Sequence, residues 1–142
     1  MRRLDRRFRT WYFVAAASGS AVVLNSGEHE AAAWLAPARA LARHAAGDML
    51  LVPPTWVTLH HLAGSATVAR ALAAAAAGPV VDYLSYQLTD DVGPHGRRER
   101  AVVVWAGDEA YPPGGRQAPA GGRHRLDTSA LPWTFEWSPA HD

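Results

Sequence analysis

After an arginine-rich start, Phe8, Thr10, Tyr12 and Val14 alternate with Arg9, Trp11 and Phe13. Alternation of aromatic and β-branched residues predicts a strand over 8–16, and aromatic residues on both faces make it a central one. Ser18-Gly19-Ser20 reads as a turn, followed by a short strand over 21–24 that Asn25-Ser26-Gly27 closes. A third strand is expected over Glu30 to Leu35, with Trp34 at its buried end.

The pattern then turns helical. Pro37 suits the first turn of a helix, where its missing N–H has no intrahelical partner anyway, and Gly47 suits a left-handed stop after about Ala46. Pro53-Pro54 stiffens the entry to a second helix, from Thr55 to Ala63, with Leu59, Leu62 and Ala63 on its buried face and Gly64 at its end. Ser65 is placed to cap a third helix, Ala66 to Ala77, with Val68 and Leu72 on one stripe and Gly78 as its stop. Val80 to Leu88 and Ala101 to Ala106 read as strands separated by the polar loop Thr89 to Arg100. Residues 112–122 are too rich in Gly and Pro for a helix, and Arg123 to Leu126 and Trp133 to Trp137 read as a closing hairpin.

A chain of 142 residues, 49% apolar and with six Trp, fits one α+β domain with one core. The absence of Cys excludes disulfides, zinc ribbons and thiol catalysis. All fourteen basic residues are Arg and Ala occurs 29 times, a skew that fits codon usage better than guanidinium chemistry. A formal charge of +1 gives no long-range pull toward nucleic acid, and Asp5 interrupts the basic start, so no nucleic-acid partner is expected. The order of charge, apolar run and small residues over 1–20 has the outline of a signal peptide. However, the apolar run barely reaches the minimum length and alternates like a strand, so a cytoplasmic protein is expected. No run approaches the ~18 apolar residues of a membrane helix, and no membrane partner is expected.

Seven histidines invite a metal reading that the spacing denies. His29-Glu30 begins like a zinc-protease helix, but Ala33 stands where the second ligand belongs. His60 and His61 are adjacent on a helix and so point about 100° apart. His95, His124 and His141 fall in polar loops, and all seven are expected to be solvated. No nucleophile elbow, phosphate-cradling loop or dinucleotide fingerprint is present; Gly114-Gly115 and Gly121-Gly122 lack a strand before and a helix after. The carboxylate pairs Glu28/Glu30, Asp90/Asp91 and Asp108/Glu109 read as solvated turn or strand-edge features.

Three stretches in order carry a resemblance: Arg6-Arg7-Phe8-Arg9-Thr10-Trp11-Tyr12-Phe13-Val14-Ala15; Gly27-Glu28-His29-Glu30 through Ala33-Trp34-Leu35 to Pro37-Ala38-Arg39-Ala40-Leu41; and Gly47-Asp48-Met49-Leu50-Leu51-Val52-Pro53-Pro54-Thr55 with Leu59 and Leu62. Together they resemble the C-terminal half of a Nudix hydrolase, in the bacterial branch similar to coenzyme A diphosphatases. Val102 to Gly107 with Asp108 and Tyr111, and Arg123-His124-Arg125-Leu126 through Trp133, resemble the tail of that branch.

The resemblance implies the C-terminal part of an α/β/α sandwich with a mixed sheet. It also implies Mg²⁺- or Mn²⁺-dependent hydrolysis of a nucleoside diphosphate linked to another moiety, such as coenzyme A. Two departures accompany it. Arg9 and Trp11 stand where the family's first strand usually carries Asp and Arg. The Nudix box, ending in Arg-Glu-x-x-Glu-Glu-x-Gly, belongs upstream of Phe8 and occurs nowhere in the chain; Arg98-Glu99-Arg100 lacks its paired glutamates. Diphosphate cleavage needs the carboxylates that hold Mg²⁺ and the water it activates, so the chain alone is expected to be an inactive, truncated domain. The resemblance gives Glu28 an outlying role as base or metal ligand in an intact enzyme; the other reading is a solvated residue at a strand entrance. Pairing with a missing N-terminal half or with a second copy is the expected protein interaction. The rival readings are a non-catalytic Nudix-derived binding or interaction module, and an unrelated α+β domain.

Overall fold

The computed structural model describes residues 9–19, 23–25, 27, 31–91, 97–112 and 120–138. Three helices precede four strands: α1 Pro37–Ala45, α2 Pro53–Ala63, α3 Val68–Ala77, β1 Tyr86–Asp91, β2 Arg97–Val104, β3 Arg123–Asp127 and β4 Thr134–Ser138. The α+β character agrees with the sequence. The sheet does not match the expected mixed one: it runs β1-β2-β3-β4 with every described pairing antiparallel.

Local chemistry sets the helices. α1 is built from Ala, Leu and Arg, good helix formers, with Pro at its first turn. It ends in a Schellman motif: Gly47 adopts φ +83°, Gly47 N–H donates to His44 O at 2.9 Å and Asp48 N–H to Arg43 O at 2.9 Å. α2 starts two residues earlier than expected, at Pro53, and its buried residues are Trp56 and Val57, whereas Leu59, Leu62 and Ala63 are only half-buried. α3 is capped by Thr67, not Ser65: the Thr67 hydroxyl accepts from Arg70 N–H at 3.2 Å. None of its residues is buried, and Val68 is exposed.

The register explains two further corrections. Thr89 to Arg100 is not all loop, because Thr89–Asp91 and Arg97–Arg100 belong to paired strands in which Asp90 faces Arg98 and Asp91 faces Arg97. The charge density that reads as loop therefore lies largely within a paired hairpin. The strand expected from Val80 starts only at Tyr86, opposite Val104. β2 ends at Val104 and Trp105 enters a turn around Gly107 (φ +100°), leaving residues 80–85 no β2 partner to pair with.

The two sheet faces bury different sets. On the helix side Trp56, Val57, Trp105 and Leu126 form a core, with Leu41, Leu51, Tyr83, Val103, Trp133 and Phe135 against it. On the other side Val102, Val104 and Tyr111 pack with Tyr86 and Leu88. Tyr111 is held there by its hydroxyl, which donates to Leu84 O at 3.2 Å.

The N-terminal strands are not found. Residues 9–19, 23–25 and 31–36 form no strand, and the rest of the expected elements at 8–24 and 30–35 lies outside the described residues. Alternation specifies which residues a strand would bury, but a strand exists only where another strand takes its N–H and C=O groups. Trp34 is 66% exposed, not at a buried strand end. Trp34→Ala is therefore expected to change unfolding free energy by less than about 1 kcal/mol, as substitutions away from packed sites do. Chemical denaturation of the two proteins checks this; a loss of about 3–5 kcal/mol would put Trp34 in a core.

Candidate functional site

The residues singled out for chemistry scatter. Glu28, Glu30, His29, His95, His141 and the Gly114-Gly115 turn lie outside the described residues. Arg9 stacks over the exposed Trp11 ring, its guanidinium carbon 5.1 Å from the centroid. A shallow depression on the same segment is lined by Ala17, Ser18, Gly19 and Trp34.

Asp108 and Glu109 are not one solvated pair. Asp108 is fully buried in the turn after β2 and is gripped by Arg125 of β3, with Nε to Oδ2 at 2.7 Å and Nη2 to Oδ1 at 2.6 Å. His124 N–H and Ala110 N–H complete its acceptor sites at 3.0 and 2.9 Å. Burial pushes this carboxyl up, but the hydrogen bonds from Arg125, His124 and Ala110 and the Arg125 charge outweigh it and hold it below its usual value. Glu109 is exposed, accepts from Gly121 N–H at 2.8 Å and pairs with Arg123. Among the described residues no three His, Cys, Asp or Glu side chains stand close enough to share a metal ion. The adjacent acids Asp108 and Glu109 are engaged by arginines, so this pair does not fit Mg²⁺.

Among the described residues, imidazoles and aromatic rings gather between α2 and the β3–β4 hairpin. His124 is buried, stacks on Trp137 at 5.1 Å and 17°, and is edge-on to Tyr83 and Phe135. Its Nδ1 lies 2.8 Å from Ala106 O. A carbonyl only accepts, so Nδ1 donates; Nε2 finds no hydrogen-bond partner among the described residues. His61 Nε2 is 2.7 Å from Tyr83 Oη, with the ring against Phe135 and Trp137. His60 stacks on Trp56 at 5.1 Å and 11°.

His44 repeats the His124 arrangement on α1. It is buried edge-on to Trp133 at 4.4 Å, Nδ1 donates to Met49 O at 3.0 Å, and Nε2 has no described partner.

The expectation that every histidine is solvated therefore fails at His44 and His124, while His60 and His61 are exposed as expected. The periodicity carried the signal. His44 lies four residues after the buried Ala40, one helical turn along the same face. His124 lies two before the buried Leu126, on the same face of its strand. Ligand spacing tests for metals, not for an imidazole whose one donor is met by a nearby carbonyl.

No family model matches the chain, and neither a curated protein nor a solved structure does.

Proposed function

We propose that this chain is the C-terminal part of a Nudix-type hydrolase. Completed by the box-bearing half, it would cleave a nucleoside diphosphate linked to another moiety, with coenzyme A as the leading candidate; alone it is inactive. The observation that carries this reading is the exposure of Trp11, Tyr12 and Phe13, at 58, 57 and 86%, in a segment patterned as a central strand. Contiguous exposed aromatic residues with strand alternation are what remains when the neighbouring strands belong to another piece of protein. The finer fold, an α/β/α sandwich with these residues inside its sheet, belongs to the same proposal.

The inactivity follows from chemistry. The Arg-Glu-x-x-Glu-Glu-x-Gly signature is nowhere in the sequence. Without clustered carboxylates Mg²⁺ has no multidentate site, and positioning a substrate does not help unless a nucleophile is positioned with it.

The purified chain should release no product from coenzyme A, ADP-ribose or dinucleoside polyphosphates with Mg²⁺ or Mn²⁺, and it should bind a hydrophobic dye strongly. Joined to a box-bearing segment encoded upstream of Met1, it should gain metal-dependent turnover and lose the dye. Robust hydrolysis by the chain alone, abolished by Glu28→Gln with Glu30→Gln, would sink the proposal and place the active site here. A well-behaved monomer that ignores the dye would favour an unrelated complete domain.

A further inference from the structure

Three imidazoles converge where the last turn of α2 rests on the sheet. His60 and His61 have ring centroids 5.8 Å apart, and both touch Phe135 of β4, at 5.0 and 5.6 Å. His124 of β3 lies beneath, sharing Phe135, Tyr83 and Trp137 with His61. These contacts bind this end of α2 to the hairpin through imidazoles that pack against one another best when uncharged.

We propose that His60, His61 and His124, gathered with Tyr83 at this junction, form an acid-sensitive latch that releases the last turn of α2 from the β3–β4 hairpin when His61 becomes a cation. The inference does not depend on the hydrolase reading.

His61 is partly open to water, and the described protein groups around it offer a cation no carboxylate. From α2 it faces His60, from β3 His124, and from the segment before β1 the Tyr83 hydroxyl. Among the described residues neither His60 nor His61 is ion-paired with a carboxylate. Glu136 of β4 points to the opposite sheet face, where its carboxylate lies 3.8 Å from Arg123, and Asp82 is exposed. The negative end of the α2 dipole favours a cation in this turn. Burial, then the charges of His60 and His124, outweigh it and hold His61 below its usual value.

The sign follows from linkage. The released or unfolded state takes up the His61 proton more readily than the closed one. The closed state is therefore fully favoured above about pH 6.5 and loses ground as pH falls below it, through the lower pKa of closed His61. Tyr83 Oη still accepts from a His61 cation, so what acid removes is the fit against the two neighbouring imidazoles, not the hydrogen bond itself.

Amide hydrogen exchange on the full chain, corrected for intrinsic rates, tests the latch. Between about pH 7.5 and about pH 5.5 the last turn of α2 should lose about two- to three-fold in protection while the β2–β3 ladder holds. His61→Gln, which can still bond Tyr83, should abolish that loss. No loss in the parent, or the same loss in His61→Gln, overturns the proposal. Should His61→Gln not fold, His60→Gln changes an exposed residue and keeps the test alive: the loss should shrink and the His61 titration midpoint, read by histidine ring C–H exchange, should rise. A midpoint that stays put or falls also overturns it.

Discussion

Asp108→Ala should cost about 3–5 kcal/mol of unfolding free energy, the range for removing one partner of a buried ion pair. Its carboxylate meets both arms of the Arg125 guanidinium and two backbone N–H groups and has no exposure of its own. Truncation leaves a largely buried guanidinium and two backbone donors without their acceptor, and that desolvation accounts for most of the loss. Equilibrium denaturation should show a lower midpoint with an unchanged slope. A change under about 1 kcal/mol would mean that water replaces the carboxylate at little cost. The pH dependence has a definite sign. Asp108 is held below its usual value in the folded state, so its contribution is complete above the ordinary carboxylate range and lost only as pH falls through the lower folded value.

Trp105→Ala is the second large effect, about 3–5 kcal/mol as for other buried tryptophans. The indole is buried in the helix-side core, edge-on to Tyr83 at 5.2 Å and tilted against His124 and Phe135, and Nε1–H donates to Ser85 Oγ at 2.8 Å. Trp105→Phe separates the two contributions. It keeps most of the ring and loses the hydrogen bond, so about 1–3 kcal/mol is expected. Equal losses in the two variants, measured by thermal or chemical unfolding, would show that the hydrogen bond and not the packing matters at this site.

These two residues also show what a single sequence discloses. The ends of α1 were legible because Pro37 and Gly47 act through their own backbone chemistry, which does not depend on distant parts of the chain, whereas the starts of α2 and α3 were each displaced by two residues. The closing hairpin was legible because its two strands are near neighbours in sequence. The burial of Asp108 was not, since it depends on Arg125 arriving from another strand, and a carboxylate in a turn otherwise reads as solvated. The strand expected over 8–16 failed for a related reason: alternation describes a face, and nothing in residues 9–19 says which strand will lie beside it. Of the candidate site, Glu28 lies outside the described residues. The imidazole cluster was hidden because its members come from α2 and β3, each unremarkable on its own segment.

The consecutive order of the sheet has a kinetic consequence. Every strand's neighbour in space is also its neighbour in sequence. β3 and β4 are joined by residues 128–133 alone. Closing that short connection costs little chain entropy. The ladder of β1 through β4 therefore draws on no described residue of 9–36 and can close independently of that segment.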